Sequence, residues 1–179
     1  MAVSNIKAVF QQDIQKGVAM KISEVKNNKK AYMDLLFLAD EQENMIDRYN
    51  DRGTMFVLDD DGVKAECVVT DEGNGVLEIK NIATCPAFQN RGYAKKLVSF
   101  VEQKYRGEYK ILRVGTGDSP LTVPFYRKCG FEERYRVKNF FTDYYDHPIF
   151  EGGVQLVDMV YFEKELDYGN LSRQVNSRA

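Results

Sequence analysis

The sequence predicts a mixed α/β domain, a largely antiparallel central sheet flanked by helices and built around one strand–helix–strand crossover. Three observations carry this. Residues 77–83 read as a strand, and Pro86 ends it, because proline fixes φ and offers no N–H to a ladder. From Tyr93 the apolar period becomes helical: Ala94, Leu97, Val98, Val101 and Tyr105 share one face, while Lys95, Lys96, Glu102 and Lys104 fall mostly on the other. The remaining strand-like runs are joined by short Asp- and Gly-bearing turns that suit antiparallel neighbours.

Taken in order, residues 1–19 form an extension of doubtful origin. Ile6, Val9, Phe10 and Ile14 suit a short amphipathic helix. Met20 is also a good natural start, because Lys16-Gly17-Val18 is encodable by a purine-rich ribosome-binding run. The domain proper is expected at 20–166. Residues 21–25 read as a strand, 32–38 as a buried helix, and 41–52 as a second helix with Met45, Ile46 and Tyr49 inward. A hairpin follows, residues 54–58 and 63–70 around Asp59-Asp60-Asp61-Gly62. A second turn, 71–75, leads to the central strand. After the central helix, 109–114 is a strand and 115–118 a loop. A short helix lies within 120–129. It starts near Thr122, because Pro124 is tolerable only in a first turn, and Gly130 follows its end. Residues 131–137 and 154–162 read as strands, with a long aromatic and acidic loop at 139–153 between them. From Glu163 the chain turns polar, and 167–179 is expected to be a fraying tail.

Composition excludes several classes. The chain has 179 residues, room for one domain with a proper core. Hydrophobic residues make up 44% and charged residues 29%, as in ordinary globular proteins. A formal net charge of -2 gives no basic field for nucleic acid. No apolar run is long enough to cross a membrane, and Lys7, Gln11, Gln12 and Asp13 interrupt any signal-peptide core. Cys67, Cys85 and Cys129 are an odd set without metal-ligand spacing, read as free thiols of a reducing cytoplasm.

Chemistry concentrates in the turn Gln89-Asn90-Arg91-Gly92-Tyr93-Ala94. Gly92 has no Cβ to hold a ligand away from the backbone. First-turn N–H groups have no intrahelical partner, the helix dipole is positive there, and Arg91 adds a cation. Together they make a phosphate cradle.

Gln89-x-x-Gly92-x-Ala94 after a strand, followed by Phe125-Tyr126-Arg127-Lys128-Cys129-Gly130-Phe131, resembles the GNAT superfamily of acyl-CoA-dependent N-acyltransferases. Either motif alone is weak; both in this order and spacing are fairly specific. The resemblance covers residues 21–166 and implies the GNAT fold. It implies transfer of an acetyl group from acetyl-CoA, as co-substrate and without a metal, to a small-molecule or protein amine. Gln89, Asn90, Arg91, Gly92, Tyr93, Ala94 and Lys95 would hold the coenzyme phosphates. Main-chain groups of Ile82, Ala83 and Thr84 would pair with the acyl carbonyl and pantetheine, with Thr84 where the family more often has Val. Asp118 or Ser119 stands where the family often has an Asn touching pantetheine.

The resemblance also makes Glu78 the candidate general base and Tyr126 the acid that protonates the leaving thiolate. A carboxylate half-buried beside a cleft has a raised pKa, which suits an acceptor of the amine proton. The plain alternatives are a strand glutamate paired with a lysine and an ordinary packed aromatic. Alternation puts Glu78 and Lys80 on one face and Asn81 on the other unless a bulge intervenes. Gly115-Thr116-Gly117 lacks the P-loop Lys-Ser/Thr and reads as the place where the next strand splays away. Nothing beside Cys85 or Cys129 activates a thiolate, so direct attack is expected rather than an acyl-enzyme.

The loop 140–151 also resembles a bacterial GNAT subgroup with a Y-x-x-P-I-F-E-x-G segment. Its aromatics with Asp143, Asp146 and Glu151 suit a cationic amine, and equally a packed loop or dimer contact. His147 is the single histidine, which makes no metal site and reads as structural. An edge strand and this loop are compatible with a homodimer. The reading from another class is an acyl-CoA-binding regulatory module without catalysis.

Overall fold

The computed structural model describes residues 19–166. The readings for 1–18 and for the tail 167–179 lie outside the described residues. In chain order the elements begin with β1 (Lys21–Val25), α1 (Met33–Leu36), α2 (Glu43–Asn50), β2 (Thr54–Asp59), β3 (Val63–Asp71) and β4 (Val76–Thr84). They continue with α3 (Tyr93–Tyr105), β5 (Ile111–Gly117), α4 (Thr122–Lys128) and β6 (Glu132–Val137). The last are α5 (Phe140–Tyr144), β7 (Phe150–Glu151), β8 (Val154–Gln155) and β9 (Met159–Glu165).

One seven-stranded sheet runs β1-β2-β3-β4-β5-β9-β6. Every neighbouring pair is antiparallel except β4–β5, the crossover through α3. The larger core lies between the sheet and α3 with α4. There Phe56, Leu77, Ile79, Leu112, Val114 and Phe162 meet Leu97, Val98 and Val101. On the other face Met55 and Val68 pack under Leu36 of α1 and Ile46 and Tyr49 of α2. No helix among the described residues is long and apolar enough to cross a membrane.

Two irregularities shape the middle of the sheet. Opposite Val68 and Val69 stand Asn81 and Ile79, so Lys80 is an extra residue in β4. This bulge overrides the alternation: Asn81 joins Glu78 on the α1/α2 face instead of opposing it. Further along, the β4–β5 ladder ends at Ile79 and Val114. From there the strands part.

Several boundaries differ from the sequence reading. Residues 115–117 are strand, not loop, because β9 pairs with them through Tyr161, Val160 and Met159. Residues 139–153 contain α5 and β7. Residues 154–162 are not one strand. Leu156 turns into a small cluster with Phe141 and Ile149 and donates its N–H to the Ile149 carbonyl at 2.9 Å, which separates β8 from β9. The helix expected at 32–38 is a single turn, ending in the short-range bond Leu38 N–H to Leu35 O. On α3 the buried face includes Tyr93, while Ala94 is only half-buried. The polar stretch after Phe162 continues β9 to Glu165, and Leu166 is buried.

Candidate active site

The phosphate turn is shaped by two left-handed residues, Asn90 at φ 60° and Gly92 at φ 82°. Gly92 is the N-cap of α3 and supplies no side-chain cap, so the first-turn N–H groups await an outside acceptor. A Cβ at Gly92 would meet nothing within 4 Å. The space before the helix end is open, as an anion requires. Gln89 donates from Nε2 to the Thr84 carbonyl at 3.4 Å, which ties the turn to the strand end. Arg91 lies 5.0 Å over the Phe88 ring and donates to the Ala87 carbonyl at 3.4 Å. Tyr93 differs from expectation: its ring is buried and its hydroxyl donates to Asp60 at 2.6 Å, which leaves only its main chain to face a phosphate. Ala94 follows in the first turn, and exposed Lys95 lies one residue on. Lys95 and Lys96, with Met20, Ile22 and Phe100 among their neighbours, line an open groove of about 630 Å³ that starts at Gly92.

Beside the turn, Ile82, Ala83 and Thr84 pair with Cys67, Glu66 and Ala65 on one edge of β4. Their other edge no longer has β5 against it. It is a short free strand edge, able to accept an extended ligand chain. Thr84 Oγ1 is buried there without a hydrogen-bond partner among the described residues. A pantetheine arm, with its amides, fits an edge of this kind, and the donor-lined turn fits a pyrophosphate.

Tyr126 reaches this region from α4 on the α3 side of the sheet. It is 5% exposed, with Phe131 and Phe162 at ring distances of 5.8 and 6.3 Å. Burial, with nearby Cys67 and Glu151 adding to it, pushes the phenol well above its ordinary pKa. It therefore keeps its proton and is a hydrogen-bond donor. At the mouth of α4, Thr122 Oγ1 donates to Glu151 at 3.0 Å and lies 2.8 Å from Thr116 Oγ1. Ser119 is buried, and its Oγ accepts the Leu121 N–H at 3.0 Å. Asp118 is ion-paired with Arg136.

Glu78 stands on the opposite face, 6% exposed, on the last stretch of β4 that still pairs with β5. Lys80 Nζ donates to it at 2.7 Å, and Arg113 lies 4.0 Å away. Arg113 is shared with Glu163 at 2.7 Å and lies 5.8 Å from the Tyr135 ring, which stacks on Tyr161 at 4.6 Å. Acid and base candidates thus flank the parted strands from opposite faces, but Glu78 is already paired.

Three groups on the α1/α2 face were not singled out by sequence reasoning. Asn81 donates from Nδ2 to the Leu36 carbonyl at 3.0 Å and to the Tyr49 hydroxyl at 2.8 Å. Asp40 accepts from Tyr145 at 3.1 Å and Tyr49 at 3.4 Å, and burial raises its pKa despite those bonds. Glu66 is fully buried, and among the described residues its carboxylate has no side-chain partner, only the Ala83 main-chain N–H directed at it from outside full hydrogen-bond geometry. Only Glu66 had a readable signal, an acid inside the apolar run Ala65 to Val69 on the same side as Val68.

The aromatic loop closes over this face. Tyr145 bonds Asp40, the Asp146 N–H donates to Gln42 Oε1 at 3.3 Å, and His147 Nε2 lies 3.4 Å from Glu41. His147 Nδ1 also contacts Asp146. Arg48 lies 5.7 Å over the Tyr144 ring.

Comparison with known proteins places this geometry. A sequence profile of the acetyltransferase (GNAT) domain matches residues 51–133. A Bacillus subtilis protein described as the uncharacterised N-acetyltransferase YvbK is 34% identical over 130 residues, 71% of this chain and 84% of that protein. A crystal structure of a GNAT family acetyltransferase from Elizabethkingia anophelis with acetyl-CoA bound is 32% identical, with a TM-score of 0.78 over 85% of this chain and all of that one. A Bacillus subtilis acetyltransferase in complex with CoA is 31% identical, with a TM-score of 0.75 over 82% of this chain and 99% of that one.

Proposed function

Because this chain belongs to the GNAT acetyltransferase family and is an acyltransferase, we propose that it moves an acetyl group from acetyl-CoA to a primary amine, of a small molecule or a protein, by direct attack. The observation that carries the coenzyme half of this reading is the open, glycine-capped N-terminus of α3 joined to the free edge of β4.

Gln89, Asn90, Arg91, Gly92, Tyr93, Ala94 and Lys95 form the turn that receives the phosphates, chiefly through main-chain N–H groups. Ile82, Ala83 and Thr84 hold the acyl arm in extended form along β4, with Asp118 and Ser119 at the facing end of β5. The bound thioester supplies the acetyl group. Tyr126 gives its proton to the departing sulfur. Glu78 takes the amine proton, and to do so it must exchange its bond to Lys80 for one to the acceptor or a water. Each such proton transfer contributes roughly 10²–10⁴ in rate, and holding both reactants in line contributes more.

On the α1/α2 face Asp40, Glu41 and Asp146, with the rings of Tyr144, Tyr145 and Tyr161, suit a cationic amine. Calorimetry with acetyl-CoA, free CoA and ATP tests the coenzyme half. Binding of the first two and not the third is the expected result, and Gly92→Glu, which places a carboxylate in the cradle, abolishes it with the fold intact. CoA release over an amine panel tests the acceptor half. Tight acetyl-CoA binding with no turnover on any amine would instead favour a regulatory binding module.

A further inference from the structure

Glu66 is a fully buried carboxyl that the mechanism above does not use. It lies on β3 directly across from Ala83, and two residues on, Val68 lies across from Asn81. Alternation along β3 is regular here: Ala65, Cys67 and Val69 face the α3 core, whereas Val68 faces α1 and α2. Glu66 therefore shares the α1/α2 face with Asn81 as its diagonal neighbour, a separation that long side chains bridge.

The hydrogen-bond inventory of this pair is unbalanced. Both amide hydrogens of Asn81 are spent, on the Leu36 carbonyl and the Tyr49 hydroxyl. Among the described residues its Oδ1 is buried and has no donor, and the Glu66 oxygens have no side-chain donor, with only the Ala83 main-chain N–H directed at them from outside full hydrogen-bond geometry. An ionised carboxylate only accepts, so a charged Glu66 would leave three buried acceptors with no donor among them but the distant Ala83 N–H. A protonated Glu66 has one O–H to give, and Asn81 Oδ1 is the unfilled acceptor on its face. We propose that Glu66 carries a proton in the working enzyme and donates it, directly or through one internal water, to Asn81 Oδ1. Glu66 is thereby the positioning residue that fixes the Asn81 anchor of the α1/α2 wall.

The surroundings agree. Burial pushes the Glu66 carboxyl up to about 8, and the Ala83 main chain offsets only part of this. The ionisable groups that feel Glu66 are Tyr49 from α2, Tyr126 from α4 and Cys67 on its own strand. All three are themselves pushed above their ordinary values and stay neutral, so among the described residues no cation compensates a charge there. Asn81 in turn holds Leu36 of α1 and Tyr49 of α2, and Tyr49 reaches Asp40. Losing the Glu66 proton would loosen this chain from its inner end.

The catalytic consequence rests on the acyltransferase reading, but the stability consequence does not. An acid whose pKa is raised by folding loses stability as pH climbs from its unfolded value, here 4.5, to about 8, and the loss then levels off. Melting of the full chain and of Glu66→Gln is followed from pH 5 to 9. The glutamine amide supplies the donor without the charge. The wild type should lose several degrees across this window relative to the variant, and parallel curves would overturn the proposal. Should the variant not fold, the infrared band of a protonated carboxyl in Asp40→Asn decides: it must be present at neutral pH and vanish above about 8, and its absence at neutral pH is fatal to the idea. With an amine found by the panel, the variant-to-wild-type ratio of kcat/KM should be near one at pH 7 and rise at pH 9, because amine ionisation cancels in the ratio. A folded but inactive Glu66→Gln would make Glu66 a proton acceptor in catalysis and refute the positioning role. A wild type that transfers nothing would sink the acyltransferase reading while the melting curves still decide Glu66.

Discussion

Tyr126 and Glu78 are both nearly buried, yet their surroundings differ. The Tyr126 ring is held by Phe131 and Phe162, and the described groups that act on it raise its pKa and keep its proton in place. Tyr126→Phe removes the hydroxyl and keeps those ring contacts. Turnover is expected to fall roughly 10²-fold, as for loss of a general acid, with acetyl-CoA affinity unchanged. Single-turnover rates beside calorimetric affinities check this, and an equal loss in both would assign the hydroxyl to binding. Glu78 stood out through the family resemblance, with a lysine pair as the plain alternative, and the structure shows that pair with Lys80; the shift of Asn81 to the same face was not legible. That shift comes from the bulge at Lys80, which the pairing of β3 with β4 reveals and no local pattern announces. Glu66 was not singled out from the sequence, though an acid within the apolar run 65–69 is a readable signal. Its meaning required the cross-strand register, which connects it to a residue fifteen positions away in the chain, Asn81.

At the scale of elements, strong periodicity was readable and weak periodicity was not. α3 and β4 were visible because each buries one well-marked stripe, and the turn between them carried its own glycine. β5 was truncated in the sequence reading because Gly115 and Gly117 look like loop residues. The structure gives the reason for glycine at 117. A Cβ there would come within 2.5 Å of Leu156 Cδ1 and 2.7 Å of Cδ2, the side chain that separates β8 from β9. Gly117→Ala should therefore cost about 1–3 kcal/mol through overpacking, and Leu156→Ala should cost a similar amount through a cavity. The double variant should be more stable than the sum of the two losses, because each change makes room for the other. Urea unfolding of the four proteins measures this coupling, and additive losses would show that the two positions do not share the space.

For the whole molecule, the distinguishing feature is a clasp between two segments far apart in sequence. Residues 40–42 and 145–147 meet through Tyr145 with Asp40, Asp146 with Gln42, and His147 with Glu41. No sequence pattern announces it, since its parts are single polar residues on irregular chain and only the folded sheet brings them together. Of its titratable members, His147 is the one whose ordinary pKa lies near neutrality. Its hydrogen bond to Asp146, then that to Glu41, raises its pKa above the ordinary 6.5. The sign follows from linkage: the protonated ring's contribution is complete below 6.5 and is lost as pH rises through the higher folded value. The clasp should therefore open on the alkaline side, locally and without unfolding the sheet. Hydrogen exchange of amides 40–42 and 145–147 is expected to speed up across that window beyond the intrinsic rise with pH, and His147→Gln should abolish the excess. Because the clasp covers the α1/α2 face and not the α3 turn, the acceptor KM should rise with the opening while acetyl-CoA affinity stays constant. A parallel change in coenzyme affinity would place the clasp's influence on the other side of the sheet and contradict the proposed division of the molecule into a coenzyme face and an acceptor face.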